Sequence, residues 1–139
     1  MLTASDDPRW RSRYYSTGGA RRRFLDAGSG PRALLCLHGI PSHHVIWREV
    51  IAALPPTIRA IAPDLTGFGC SEFPPDAGLS PDDQARDMLA MLDRLGVARF
   101  GVVAHDYGAL VACALLDSAP GRVTCLALTN TSLLPGDWS

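Results

Sequence analysis

The chain reads as an α/β fold, a mostly parallel sheet with helices on both faces. Three observations carry this reading. Residues 33–37, 58–62, 100–104 and 123–128 are short apolar runs, the pattern of strands buried on both sides. Helix-length segments with caps and breakers lie between them. Strands that alternate with helices pair in parallel through right-handed crossovers.

The 139 residues suffice for one domain with a sizeable core; 47% are apolar and 19% charged, the balance of a folded globular protein. A net charge of -1 gives no general attraction to nucleic acid or to an anionic membrane. No apolar run approaches the roughly 20 residues that span a bilayer. The polar, acidic start (Met1 to Asp7) does not read as a signal peptide. Cys36, Cys70, Cys113 and Cys125 lie far apart without zinc-ligand spacing, and three of them sit in apolar runs. This suits buried thiols in a reducing compartment, so the expected location is cytoplasmic.

The elements follow in order. Residues 1–20 are expected to form a polar, basic arm, and residues 21–139 the core domain. Arg9, Arg11, Arg13, Arg21, Arg22 and Arg23 crowd the arm. A phosphate-binding patch is one reading; the preferred one is a solvated edge hairpin whose charge discourages edge-to-edge pairing. Residues 21–27 read as a strand closed by Gly28-Ser29-Gly30-Pro31. After the strand at 33–37, Ser42 is expected to cap a helix running to about Leu54, with Ile46, Trp47, Val50 and Leu54 on one face and Pro55-Pro56 as its stop. The strand at 58–62 leads into a Gly/Pro/Ser-rich loop over 66–80. Ser80-Pro81-Asp82-Asp83 then opens a helix with apolar stripe Ala85, Met88, Leu89, Leu92 and Leu95, ended by Gly96. Residues 108–116 carry no charge, so this helix is expected to be buried on most sides.

Binding groups in such sheets gather beyond the carboxyl ends of the strands. Three sharp turns fall there: 38–41, 64–71 and 104–108. The last joins strand directly to helix. A turn this tight strains its central residue and needs small residues two before and two after, which Ala104 and Gly108 provide. It lifts Asp106 out of the sheet edge at a helix N-terminus, where amide N–H groups favour negative charge. The plainer alternative is that Asp106 is only a helix cap.

These turns resemble motifs of the α/β-hydrolase superfamily, in its aspartate-nucleophile branch of epoxide hydrolases and haloalkane dehalogenases. His38-Gly39-Ile40-Pro41 is similar to that branch's H-G-x-P motif, Asp64 to Ser71 to its D-x-x-G-x-G-x-S loop, and Ala104 to Gly108 to its small-x-D-x-G elbow. The three come in the family's order and separations. The resemblance implies Asp106 as nucleophile and the backbone N–H groups of Ile40 and Tyr107 as oxyanion hole. It further implies that the alkyl ester formed on Asp106 is hydrolysed by water activated by a histidine, which a second acid orients. A carboxylate is charged at pH 7 without an activating base and suits displacement at a saturated carbon. The substrate is expected to be a small molecule such as an epoxide or alkyl halide.

Supporting roles fall to His38, Gly39, Pro41, Asp64, His105 and Gly108. His38 is expected to bond backbone and Asp64 to brace a loop, and His105 is not taken as the base. His43-His44 is not expected to hold a metal, because adjacent helical residues diverge by about 100°. Gly67-Phe68-Gly69 lacks a third glycine and opens no helix, so no nucleotide cofactor is expected.

The family places its cap and its catalytic histidine later than residue 139, and Asn130 stands where one dehalogenase subfamily keeps its acid. The expected architecture is therefore a truncated core lacking cap and C-terminal strands, catalytically incomplete as given. Its last strand would carry an open apolar edge that invites self-association. Dehalogenases usually carry Trp after the nucleophile and often a second halide donor after His-Gly; Tyr107 and Ile40 hold those places, which favours an epoxide-hydrolase-like reading. The alternative is an inactive fragment that docks on a full-length relative. A serine esterase fails for want of a serine in the elbow.

Overall fold

The computed structural model describes residues 10–132. Among the described residues, six strands form one sheet in the order β1-β2-β4-β3-β5-β6. They are β1 (Trp10–Thr17), β2 (Ala20–Ala27), β3 (Arg32–Leu37), β4 (Ile58–Pro63), β5 (Phe100–His105) and β6 (Val123–Thr129). β4, β3, β5 and β6 run parallel. β1 and β2 add an antiparallel hairpin, paired from Trp10↔Ala27 to Thr17↔Ala20. Residues 10–17, expected within the polar arm, are thus a full strand of the sheet, and Arg11 and Arg13 stand exposed on its free edge.

Strand alternation splits the core into two layers. Leu35, Leu37, Ile61, Phe100, Val102 and Ala104 face α2 (Pro81–Arg94) and α3 (Tyr107–Ser118). Leu25, Ala27, Cys36, Ala60 and Ala62 face the other way, under Trp47 and Ile51 of a 3-10 turn (His44–Trp47) and α1 (Arg48–Ala53). Helices therefore cover both faces, as expected.

α2 begins as its sequence signals. Ser80 Oγ accepts from the Asp83 N–H while the Asp83 carboxylate accepts from the Ser80 N–H, a capping box with Pro81 in the first turn. It ends with the Gly96 and Val97 N–H groups returned to the carbonyls of Asp93 and Leu92.

Three expectations are corrected. Ser42 caps nothing: His43 is extended, the turn starts at His44, and the His44 N–H is bonded instead by the Asp64 carboxylate, at 2.9 Å. Capping from another segment shifts the helix entry, so Trp47 and Ile51 turn inward while Ile46 and Val50 stay exposed. β6 is an edge strand among the described residues, in line with the open edge expected of it, but it is not the buried strand its apolar run suggested. Thr124, Cys125, Leu126 and Ala127 are exposed along it, and of the cysteines only Cys36 is buried. On α3, Leu110 is exposed and Cys113 and Leu116 are half-buried, so its cover is less complete than its composition suggests. Among the described residues no helix is long and apolar enough to cross a membrane.

Candidate active site

β5 passes into α3 through one residue. Asp106 takes φ 53° and ψ -122°, a conformation that costs a non-glycine residue of the order of 1–3 kcal/mol and persists only where surrounding contacts enforce it. Here they do. The Asp106 N–H is held by the Thr129 carbonyl of β6 at 3.1 Å, and its carbonyl accepts from the Ala109 N–H at 3.0 Å. Gly108 lies where a Cβ would come within 2.7 Å of the Leu37 and His38 carbonyls, so only glycine lets α3 start this close to β3.

Asp106 stands at the N-cap position of α3, but its side chain makes no capping hydrogen bond to the helix. It crosses to the turn after β3, where the Ile40 N–H donates to Oδ1 at 3.0 Å. A Cβ on Gly39 would stand 2.4 Å from the Asp106 Cβ, so the approach depends on glycine there too. The Ile40 N–H, and after it the Tyr107 N–H, hold the carboxyl below the usual carboxylate range against a smaller opposing effect of burial; His105 adds a weak pull in the same direction. Among the described residues Oδ2 accepts no hydrogen bond. The arrangement is an ionised, half-buried carboxylate with Oδ1 on the Ile40 amide.

The turn that presents Ile40 is itself anchored. His38 is fully buried; its Nδ1–H donates to the Gly39 carbonyl at 2.9 Å and its Nε2 accepts the Leu65 N–H at 2.9 Å. Burial pushes its pKa down, partly offset by the Gly39 carbonyl and by the Asp64 charge. Pro41 follows Ile40 through a cis peptide and is exposed.

Asp64 is also fully buried, and every contact on it is structural. Oδ1 accepts from the His44 N–H and from His44 Nδ1 at 2.7 Å, Oδ2 accepts from the Cys70 N–H at 2.9 Å, and the Arg23 guanidinium stands 3.7 Å away. Burial alone would raise its pKa; the bonds from the His44 ring, the Cys70 N–H and the His44 N–H outweigh it and hold the group far below the usual range. The carboxylate thus ties the 38–44 turn to the 64–71 loop.

His43 and His44 do not diverge as expected, because His43 lies before the helix; their rings sit 5.2 Å apart beside Asp64. A cation already occupies this corner. Arg23 Nη1 donates to His44 Nε2 at 3.1 Å, and a metal would have to displace it.

A second brace was not legible in the sequence. Arg22, expected in a solvated hairpin, is buried: its Nε donates to Thr66 Oγ1 at 2.8 Å and to Asp87 at 3.1 Å. Gln84 exchanges two bonds with the Thr66 backbone, at 2.9 and 3.1 Å. The one available signal was Gln84 standing on the buried side of α2 at helical spacing from Met88 and Met91. The Tyr107 hydroxyl also turns from the carboxylate and donates to the Leu79 carbonyl, fastening the 66–80 loop to the start of α3. His105 ends β5 with its Nδ1 buried and without a partner among the described residues.

Residues 32–139 match the family model described as alpha/beta hydrolase fold. Haloalkane dehalogenase 2 of Mycobacterium tuberculosis is 36% identical over 126 residues, covering 91% of this chain and 44% of that protein. Epoxide hydrolase 2 of Siraitia grosvenorii is 38% identical over 120 residues, covering 85% of this chain and 37% of the relative. The crystal structure of Cfl2 from Burkholderia cenocepacia superposes with a TM-score of 0.88 at 32% identity, over 96% of this chain and 48% of that one. The chain thus spans less than half the length of these relatives. The sheet order, the strained elbow and these likenesses agree: the chain belongs to the alpha/beta hydrolase fold family, with epoxide hydrolases and haloalkane dehalogenases among its relatives.

Proposed function

We propose that the chain carries the nucleophile half of an aspartate-dependent hydrolase acting on small epoxides, with alkyl halides as the next substrate class. The observation that carries this is the Ile40 N–H on Asp106 Oδ1 at 3.0 Å, with Oδ2 left open. Oδ2 attacks a saturated ring carbon from the side opposite the ring oxygen. The C–Oδ2 bond forms, the ring C–O bond breaks, and its electron pair leaves on oxygen, which takes a proton from water. In the ester, Oδ1 is the carbonyl oxygen. When water adds to Cγ, the charge develops on the atom that already accepts the Ile40 N–H, with the Tyr107 N–H as the second donor of this reading. One pair of donors therefore serves both the resting carboxylate and the oxyanion.

The epoxide reading is favoured over the halide reading by the Tyr107 hydroxyl, which is spent on the Leu79 carbonyl, and by Ile40, whose side chain has no donor. Among the described residues no histidine is bonded to Asp106; His38 and His44 are committed to the backbone and to Asp64. Ester formation without turnover is therefore expected of these residues alone. Intact-mass spectrometry after incubation with 1,2-epoxybutane tests it: one covalent adduct is expected on the wild type and none on Asp106→Asn. Equal adducts on both proteins would remove Asp106 as nucleophile.

A second, non-catalytic reading rests on β6. Its exposed Thr124, Cys125, Leu126 and Ala127 form an uncharged edge suited to strand pairing with another chain, either a copy of this one or a longer relative. Size-exclusion chromatography separates the readings, since a clean monomer at high concentration argues against docking between copies.

A further inference from the structure

The Asp106 carboxylate shares a cavity of about 330 Å³ with Tyr107, Leu110, Asn130, Thr131 and Ser132. The last three are consecutive, neutral and able to donate and accept hydrogen bonds. Their turn is pinned to the elbow, because Thr129 holds the Asp106 N–H through its carbonyl and reaches the Ala104 carbonyl with Oγ1 at 3.4 Å. Directly after it Asn130 takes φ 48°, a left-handed conformation that asparagine tolerates better than most residues. Its side chain is exposed and bonded to no other described residue. Tyr107 and Leu110 supply the apolar side of the same space.

Among the described residues the only charge lining this cavity is that of Asp106 itself. An anionic substrate would meet a carboxylate and no compensating cation, while a neutral molecule with a hydroxyl, ether or amide beside its reacting carbon would meet three neutral partners. We infer that Asn130 is a specificity-determining residue and that the site takes uncharged substrates carrying a hydrogen-bonding substituent next to the carbon that Asp106 attacks. This rests on the reading of Asp106 as the reacting group.

The test follows ester formation on the whole chain with three small epoxides: glycidol, which carries a hydroxymethyl group, 1,2-epoxybutane, which is apolar, and glycidate, which carries a carboxylate. Wild type is expected to prefer glycidol to epoxybutane, and to react with glycidate at least about tenfold more slowly than with glycidol. Asn130→Gly keeps the left-handed turn without strain and removes the amide. It is expected to lower the glycidol-to-epoxybutane rate ratio about tenfold, the worth of one neutral hydrogen bond of about 1.4 kcal/mol. An unchanged ratio, or equal slowing of both epoxides, would overturn the role of Asn130; glycidate reacting as fast as glycidol would overturn the charge argument. Failure of the underlying reading has a different signature, namely adducts that persist in Asp106→Asn or no adduct with any probe. In that event NMR still decides: glycerol is expected to shift the Asn130 side-chain amide signals and butane-1,2-diol to shift them less, and equal or absent shifts would sink the inference without any chemistry.

Discussion

Two aspartates stand at the carboxyl edge of the same sheet, and their surroundings give them opposite work. Asp64 follows β4 with both oxygens occupied by the His44 N–H, the His44 ring and the Cys70 N–H, and with Arg23 close by. Asp106 follows β5 with one oxygen on the Ile40 N–H and the other open. Both carboxyls are held below their usual range, so low pKa does not tell them apart. What does is saturation. A carboxylate with both oxygens engaged fixes its neighbours, whereas one held on a strained backbone with an unbonded oxygen is available to a substrate. Backbone strain sits at the second and not at the first.

The comparison breaks most visibly under isosteric replacement. Asp106→Asn is expected to abolish ester formation, by more than about 10⁴-fold as for loss of a nucleophile elsewhere, while leaving the thermal midpoint unchanged or raised. A variant that unfolds instead would make Asp106 a second brace. Asp64→Ala is expected to do the reverse, costing about 3–5 kcal/mol in urea unfolding, because it strands the His44 and Cys70 N–H groups and leaves Arg23 without its carboxylate. A loss under about 1 kcal/mol would mean that water replaces the carboxylate at little cost.

Gly39→Ala sharpens the contrast from the other side. The added methyl runs into Asp106 Cβ, so the Ile40 N–H must move away, and ester formation should fall about 100-fold with a small change in stability. Retained activity would show that the Ile40 amide is dispensable.

The smallest effect is expected with pH. His38 and Asp64 both have folded-state pKa values below their ordinary ones, so each contributes stability that is complete above its unfolded pKa and lost as pH falls toward its folded one. His38 acts first, below about pH 6.5, as protonation of Nε2 would break its bond from the Leu65 N–H; Asp64 acts below about pH 4. Urea midpoints between pH 8 and 3 should therefore fall in two stages, and His38→Gln should remove the upper one. A single stage near pH 4 in the wild type would count against a buried neutral His38.

Much of this was readable in one dimension. The buried strands, the α2 capping box and the three turns at one edge are local signals, carried by apolar runs, by Ser80 and Asp83, and by glycines beside Asp106 and His38. The entry of α1 was not, because its cap comes from Asp64 and not from the adjacent Ser42. Nor was the burial of Arg22, whose partners Thr66 and Asp87 are 44 and 65 residues away. The open edge of β6 was expected, but the exposure of its faces was not, because an apolar strand reads the same in one dimension whether or not a helix covers it.

Residue order alone settled which groups reach the edge of the sheet, since strand length, turn length and small side chains are properties of short segments. It suggested Asp64 as the brace but could not show which donors would tie it down and which would reach Asp106. That depended on the convergence of amides from segments 20 to 66 residues apart, His44 on Asp64 and Ile40 on Asp106. Hydrogen bonds act over about 3 Å, and only packing of the sheet and its helices brings such distant donors within that range.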